Sequence, residues 1–485
     1  MKYFYTTLLL FPCSLFAQEA FFNLSNPSIP ITATGINSMD VESADVDGDG
    51  DLDIAIAGEY TRNLLLFNDG NGVFSEDPTK LFPKKDVASP FTGQDSEDIA
   101  FADFDLDGDL DILFVTEDTP FHELLINDGN GKFTFINYDF DTSNGNAVAV
   151  LDLNADTYPD IIIGNTGQND VYLNNQDLTF TKDNSRWSVN TEGTQDFKLV
   201  DLDGDGDLDI VEGIDAGSNN ILINQNGFFV EENDRLPNLN IILETRKIAL
   251  GDANGDGHID IFVATVNFTG IANLANRLYL NDGNGFFSDA SGNLPLLLEQ
   301  TLDAVFLDYD LDNDLDLITV GFLAPGNNYR AYENDGNGQF TLNTAAVFQN
   351  FSLSDGIALH TADFNGDGFS DIYFGGFNET DDLLFYTDLN TNTTDFNSNI
   401  TLELFPNPCS DKLYIKEVFL AAQRVSSLEI YAMNGQLIRS VVDSEIDEVS
   451  RLGIAIHDLA EGQYMLLVKD QQRTTYSSSF IVVRE

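Results

Sequence analysis

The stretch Asp201-Leu-Asp-Gly-Asp-Gly-Asp-Leu-Asp209 sets carboxylates at relative positions 1, 3, 5 and 9, with glycines between them. Calcium is a hard cation that takes several oxygen ligands, main-chain carbonyls included. A tightly curled loop turns alternate positions inward. Asp201, Asp203, Asp205 and Asp209 are therefore expected as side-chain ligands, with the carbonyl of Asp207 and water completing the shell. A helix–loop–helix calcium site shares the first half of this spacing but closes on Glu at position 12. Here the closing acid comes sooner and Ile210-Val211 follows it, a β signal. The loop is expected to join two strands.

The same frame recurs six more times. Its ligand positions are Asp45, Asp47, Asp49 and Asp53; Asp103, Asp105, Asp107 and Asp111; and Asp152, Asn154, Asp156 and Asp160. They continue as Asp252, Asn254, Asp256 and Asp260; Asp308, Asp310, Asp312 and Asp316; and Asp363, Asn365, Asp367 and Asp371. The carbonyl ligand at position 7 falls to Asp51, Asp109, Tyr158, His258, Asp314 and Phe369. Asn at position 3 loses charge but keeps an oxygen. One such loop could be a solvated turn; seven in register argue for up to seven bound Ca²⁺ ions.

Loop starts lie 49–58 residues apart, the signature of a repeat architecture. Each unit offers four strand signals, in the first Val41–Val46, Asp53–Ala57, Asn63–Phe67 and Gly72–Ser75. Asn-Asp-Gly-Asn-Gly turns at 68–72, 127–131, 281–285 and 334–338 supply the positive φ that a hairpin needs. Runs such as Ile161-Ile-Ile163 are apolar on both faces, so both sides of each sheet are covered. Radially packed four-stranded sheets meet that demand, and the expected fold is an all-β, seven-bladed β-propeller over 18–388, with blades starting near 40, 98, 146, 196, 247, 303 and 355. Phe21–Ser25 resembles the outer strands and is a candidate to close the ring; Thr394–Asn397 is its rival. At these residues the chain resembles the FG-GAP/VCBS repeat family of integrin α-like propellers, and the resemblance, over about 40–388, implies calcium in the strand 1–2 loops. The third repeat departs most, with Ala155, Thr157 and Pro159.

A net charge of −59 beside 42% hydrophobic residues describes a folded acidic protein and excludes a basic nucleic-acid surface. Met1–Ala17 reads as a signal peptide, too short in its apolar part to span a bilayer. Once it is removed Cys409 alone remains, so no intrachain disulfide is expected. An Asn/Thr-rich linker at 389–399 precedes a tail, 400–485, with strand signals suited to a small Ig-like β-sandwich. Leu404-Phe-Pro-Asn-Pro408, Ile430-Tyr-Ala-Met-Asn-Gly435, Leu459-Ala-Glu-Gly-Gln-Tyr464 and Phe480-Ile-Val-Val483 resemble the type A C-terminal sorting domain of Bacteroidetes type IX secretion. That resemblance implies contact with the secretion machinery and delivery to the cell surface or outside the cell.

Strand parity sets the calcium loops and Asn-Gly turns on one face and the long insertions on the other. Exposed aromatic and basic residues expected on that second face are Tyr60, Arg62, Phe121, His122, Trp187, Tyr329 and Arg330, suited to a carbohydrate or surface-protein ligand. Asp40, Asp98, Asp196 and Asp303 recur ahead of the loops and are expected to cap main-chain N–H groups, or else to hold a cation or basic group in the channel. No nucleophile triad, zinc motif or phosphate loop appears. A monomeric, non-catalytic binding or adhesion protein is expected; a polysaccharide lyase or hydrolase using His122 or Arg330 is the alternative, and a scaffold subunit of a surface complex a second.

Overall fold

The computed structural model describes residues 21–24, 36–83, 94–117, 122–136, 138, 140, 144–188, 192–232, 234–270, 273–322, 329–343, 356–377 and 382–388, and in the tail 404–405, 410, 412–415, 425–432, 437–442, 454–457, 459–460, 462–470 and 475–483. The chain divides into two compact units, one built on Phe22–Tyr309 and Asp314–Asp388, the other carrying Leu389–Glu485.

In the first unit each repeat becomes one four-stranded antiparallel sheet. Ser38–Ala44, Asp53–Thr61, Leu64–Asn68 and Phe74–Ser75 pair in chain order. The inner strand stops at Ala44, short of the expected Val46, because Asp45 has already turned to accept the main-chain N–H groups of Gly48 and Gly50. The inner strands that follow are Gln94–Ala102, Gly145–Leu151, Thr194–Val200, Thr245–Gly251, Gln300–Leu307 and Gly356–Ala362. Among the described residues five repeats form separate four-stranded sheets, and the first two are joined edge to edge into one eight-stranded sheet where Glu59 pairs with Asp95 and Thr61 with Gln94. Phe21–Leu24 lies beside Leu383–Asp388 as the outer strand of the seventh. The rival Thr394–Asn397 lies outside the described residues.

Burial closes the circle. Ile54, Ala55, Ile56 and Ala57 are wholly buried, so each face of the sheet meets a neighbour. Ala55 and Leu65 pack with Ile112 and Phe114 of the second sheet, while Ile54 and Leu64 pack with Tyr373 and Leu384 of the seventh. Every other adjacent pair shares a cluster of the same kind. The unit is a β-propeller whose cores lie between blades.

One irregularity recurs in all seven inner strands. Register against the second strand slips by one residue between Ser38 and Asp40, and at the matching place in every other blade. A bulge of this kind leaves one residue unpaired and re-aims its side chain.

The second unit holds a three-stranded sheet, Leu404–Phe405, Lys412–Ile415 and Ile454–Ala455, and a four-stranded one ordered Leu437–Val442, Val425–Ala432, Gly462–Asp470, Thr475–Val482. Leu413 and Ile415, then Leu428 and Ile430, are buried at alternate positions, as one-sided strands require.

Candidate calcium loops and the axial channel

The closing acid of each loop is an anchor as well as a prospective ligand. Asp209 is wholly buried and accepts the N–H of Leu202 at 2.9 Å, inside its own loop, and that of Asn224 at 2.8 Å, at the end of the third strand. Asp53, Asp111, Asp160, Asp260, Asp316 and Asp371 repeat this double bond with their own counterparts. Burial pushes the Asp209 carboxyl up to about 6 against the pull of both hydrogen bonds, and the Asp371 carboxyl to about 8.

Carboxylate oxygens at positions 1, 3 and 9 converge within 4.8 Å of one another in four loops: Asp45, Asp47 and Asp53; Asp103, Asp105 and Asp111; Asp201, Asp203 and Asp209; and Asp308, Asp310 and Asp316. Asp47 Oδ1 and Asp203 Oδ1 are buried without a hydrogen-bond partner, a cost that a cation would remove. Their other oxygens face Lys80 at 3.4 Å and Arg235 at 3.6 Å. The donor set is all oxygen and fits a hard cation such as calcium. Position 5 stands apart from these trios: Asp49, Asp156, Asp205, Asp256 and Asp367 accept the N–H two residues on. Position 3 is Asn in the other three loops, where Asn154, Asn254 and Asn365 accept the N–H of position 5.

The third loop keeps this shape without glycine. Ala155 and Thr157 take φ of 60° and 78°, where the first loop has Gly48 and Gly50. A β-branched residue pays most there. Thr157→Gly is therefore expected to raise stability by about 1 kcal/mol, read from the urea unfolding midpoint.

The predicted sharing of one face by loops and turns is visible in their contacts. Gly70, Gly129 and Gly283 sit so close to Asp51, Asp109 and His258 that a Cβ would collide with those side chains. A stitch not anticipated from sequence completes this face. Asn127 Nδ2 donates to Val46 O of the preceding blade at 2.7 Å, and Asn68, Asn174 and Asn334 do the same to Phe364 O, Phe104 O and Ala253 O. The recurrent Asn opening each turn was its signal.

Along the axis, three of the four recurring Asp residues cap main-chain N–H groups as expected, while Asp40 faces a base instead. Asp98, Asp196 and Asp303 each accept an N–H from the next blade, those of Val148, Ile248 and Leu359, all at 2.7 Å. The same ring holds a base, Lys247, whose Nζ lies 3.4 Å from Asp40, 3.7 Å from Asp98 and 3.8 Å from Asp196. Burial alone would lower the Lys247 pKa; the surrounding carboxylates outweigh it and hold the ammonium well above the ordinary lysine range.

The channel cavity beside it, about 310 Å³, is also lined by Glu42, Lys198 and His360. Burial pushes the His360 imidazole down to about 4. Neutral in the fold and basic when unfolded, His360 should cost stability as pH falls from about 6.5 towards 4, by up to ~3 kcal/mol. His360→Gln should flatten that part of the melting-temperature profile.

Several residues expected to be exposed on the ligand face are instead buried or paired. Trp187 is 3% exposed and packs against Phe197 and Phe229, so it is core and no sugar platform. His122 is buried, with Nδ1 accepting the N–H of Thr116 at 3.1 Å. Tyr329 is buried too, and Arg330 is held by Glu299 at 2.6 Å. Arg62 is paired with Glu76, and Tyr60 is half-buried at a positive φ of 53°. Phe121 lies outside the described residues.

The FG-GAP-like repeat model matches residues 45–114, 103–163, 152–212, 201–263, 252–319 and 320–374, which together span most of the chain. The chain belongs to the FG-GAP-like repeat family. Residues 403–483 of this FG-GAP protein match the secretion system C-terminal sorting domain, the signal for type IX secretion to the cell surface or beyond. A search of curated proteins found no match. Among solved structures, an Agrocybe aegerita lectin that recognises non-reducing terminal N-acetylglucosamine is 20% identical, with 66% of this chain and 82% of that one covered and a TM-score of 0.43. A Bacillus licheniformis rhamnogalacturonan lyase is 14% identical, with 76% of each chain covered and a TM-score of 0.41. Likenesses at this level assign no activity to the FG-GAP protein. Among its described residues, no helix is long and apolar enough to cross a membrane.

Proposed function

We propose that this FG-GAP protein is a calcium-stabilised propeller that binds a carbohydrate or protein ligand outside the cell without transforming it. Export with a leader ending at Ala17, and removal of the tail after delivery, belong to the same proposal. The observation that carries it is one loop frame repeated in every blade, with three carboxylates drawn together in four of the loops and buried oxygens left unpaired at Asp47 and Asp203. Those loops occupy one face and leave the opposite face to the long connections, where ligand contacts can vary without disturbing the metal cradles. The two groups offered for catalysis support the same reading, since His122 and Arg330 are engaged in structural bonds.

Two measurements test it. Chelation with EGTA is expected to lower the melting temperature by several degrees or more, and calcium to restore it. On a polysaccharide panel the protein should bind without releasing new reducing ends. An unchanged melting curve argues against the metal, and turnover argues for the lyase or hydrolase reading.

A further inference from the structure

The seven bulges have a common destination. The unpaired residue of each inner strand lines one cavity of about 190 Å³ at the mouth of the channel on the insertion face. One arc of that ring is polar: Glu97, Asn146, Gln195 and Arg246. The other is apolar, Met39, Leu302 and Ile357, backed by Phe268, Phe322 and Phe377, whose rings lie 6.4 and 5.9 Å apart in sequence. We propose that this cavity is a binding site for a single uncharged sugar ring, with hydroxyls on the polar arc and a C–H face on the aromatic one. The proposal rests on the ligand-binding reading above and names its site and ligand class.

Three observations point to a ligand. Asn146 is 4% exposed; its Nδ2 donates to Thr194 O at 3.4 Å, but Oδ1 has no hydrogen-bond partner and awaits a donor. Phe268 is 59% exposed yet fixed, because Glu244 accepts the N–H of Phe268 at 2.9 Å and of Thr269 at 3.1 Å. Arg246 is pre-positioned by Gln195 at 2.6 Å and Glu97 at 3.3 Å. Burial raises the Glu97 carboxyl to about 8, so near neutrality it can donate as well as accept.

Competing ligand classes fit less well. A fatty chain would leave Asn146 Oδ1 unpaired, and a phosphate would find Arg246 already engaged by Gln195 and Glu97. The volume lies below the roughly 300–1,000 Å³ of pockets for drug-sized ligands, which suits one ring.

The test is titration of the calcium-loaded chain with methyl glycosides of glucose, galactose, mannose, rhamnose and N-acetylglucosamine, followed by calorimetry and ligand-observed NMR. At least one should bind, and Phe268→Ala and Asn146→Ala should each weaken it roughly tenfold. Phe268→Ala, at an exposed position, should leave the melting temperature unchanged. Sugar binding that survives both substitutions overturns the pocket while leaving the binding reading intact. Failure of every glycoside where a polysaccharide or protein still binds also overturns the pocket alone; failure of all ligands overturns both.

Discussion

Lys247→Met is expected to destabilise the propeller by about 3–5 kcal/mol, the usual consequence of removing one partner from a buried charge cluster. Lys247 is 11% exposed in its side chain and Asp196 only 1%, so water cannot replace the ammonium. Asp40 and Asp98 would then lose their paired base, leaving Lys198, 3.3 Å from Asp196, as the remaining counter-charge of the ring. Burial already holds the Asp98 carboxyl well above the ordinary carboxylate range and Lys247 pulls it down; without that pull the folded variant would hold its proton more tightly than the unfolded chain and lose stability as pH climbs. The deficit should therefore be smaller at pH 5 than at pH 8, in urea unfolding followed by tryptophan fluorescence. A variant as stable as the parent at pH 8 would show that the carboxylates cap main-chain groups and need no base.

Asp209→Ala is expected to cost a similar amount for a different reason. Its two acceptors leave behind the N–H groups of Leu202 and Asn224, each buried and each worth about 1–3 kcal/mol when unpaired. Asp205→Ala, in the same loop but exposed, should change stability in EGTA by less than about 0.5 kcal/mol. With calcium present both variants should lose metal-dependent stabilisation. The comparison in chelator separates the anchor from the ligand; equal losses there would contradict the anchoring role.

The propeller was readable because its evidence is periodic. Seven loops in register, followed by strands apolar on both faces, admit few architectures other than sheets stacked in a circle. Even the closing strand was legible, since Phe21–Leu24 carries the aromatic pair typical of the outer strands. What stayed hidden has no local pattern. The bulged residue is Met, Glu, Asn, Gln, Arg, Leu or Ile, so no motif marks it, and only the register slip turns all seven toward one cavity. Trp187 misled because it follows Ser185-Arg186 in a connection that looks solvated, yet its indole is large enough to plug the seam between Phe197 and Phe229. Lys247 did leave a trace: it is the one base at a place where four repeats carry Asp. Its role depends on blades far apart in sequence meeting at the axis.

Metal in the loops is what every blade's stability is expected to share. Calcium counted by mass spectrometry in the purified chain, stripped with EGTA and titrated back, should show four tighter sites, the trios with Asp at position 3, and three weaker ones where Asn154, Asn254 or Asn365 takes that place. A chain that retains no calcium at millimolar supply would contradict it.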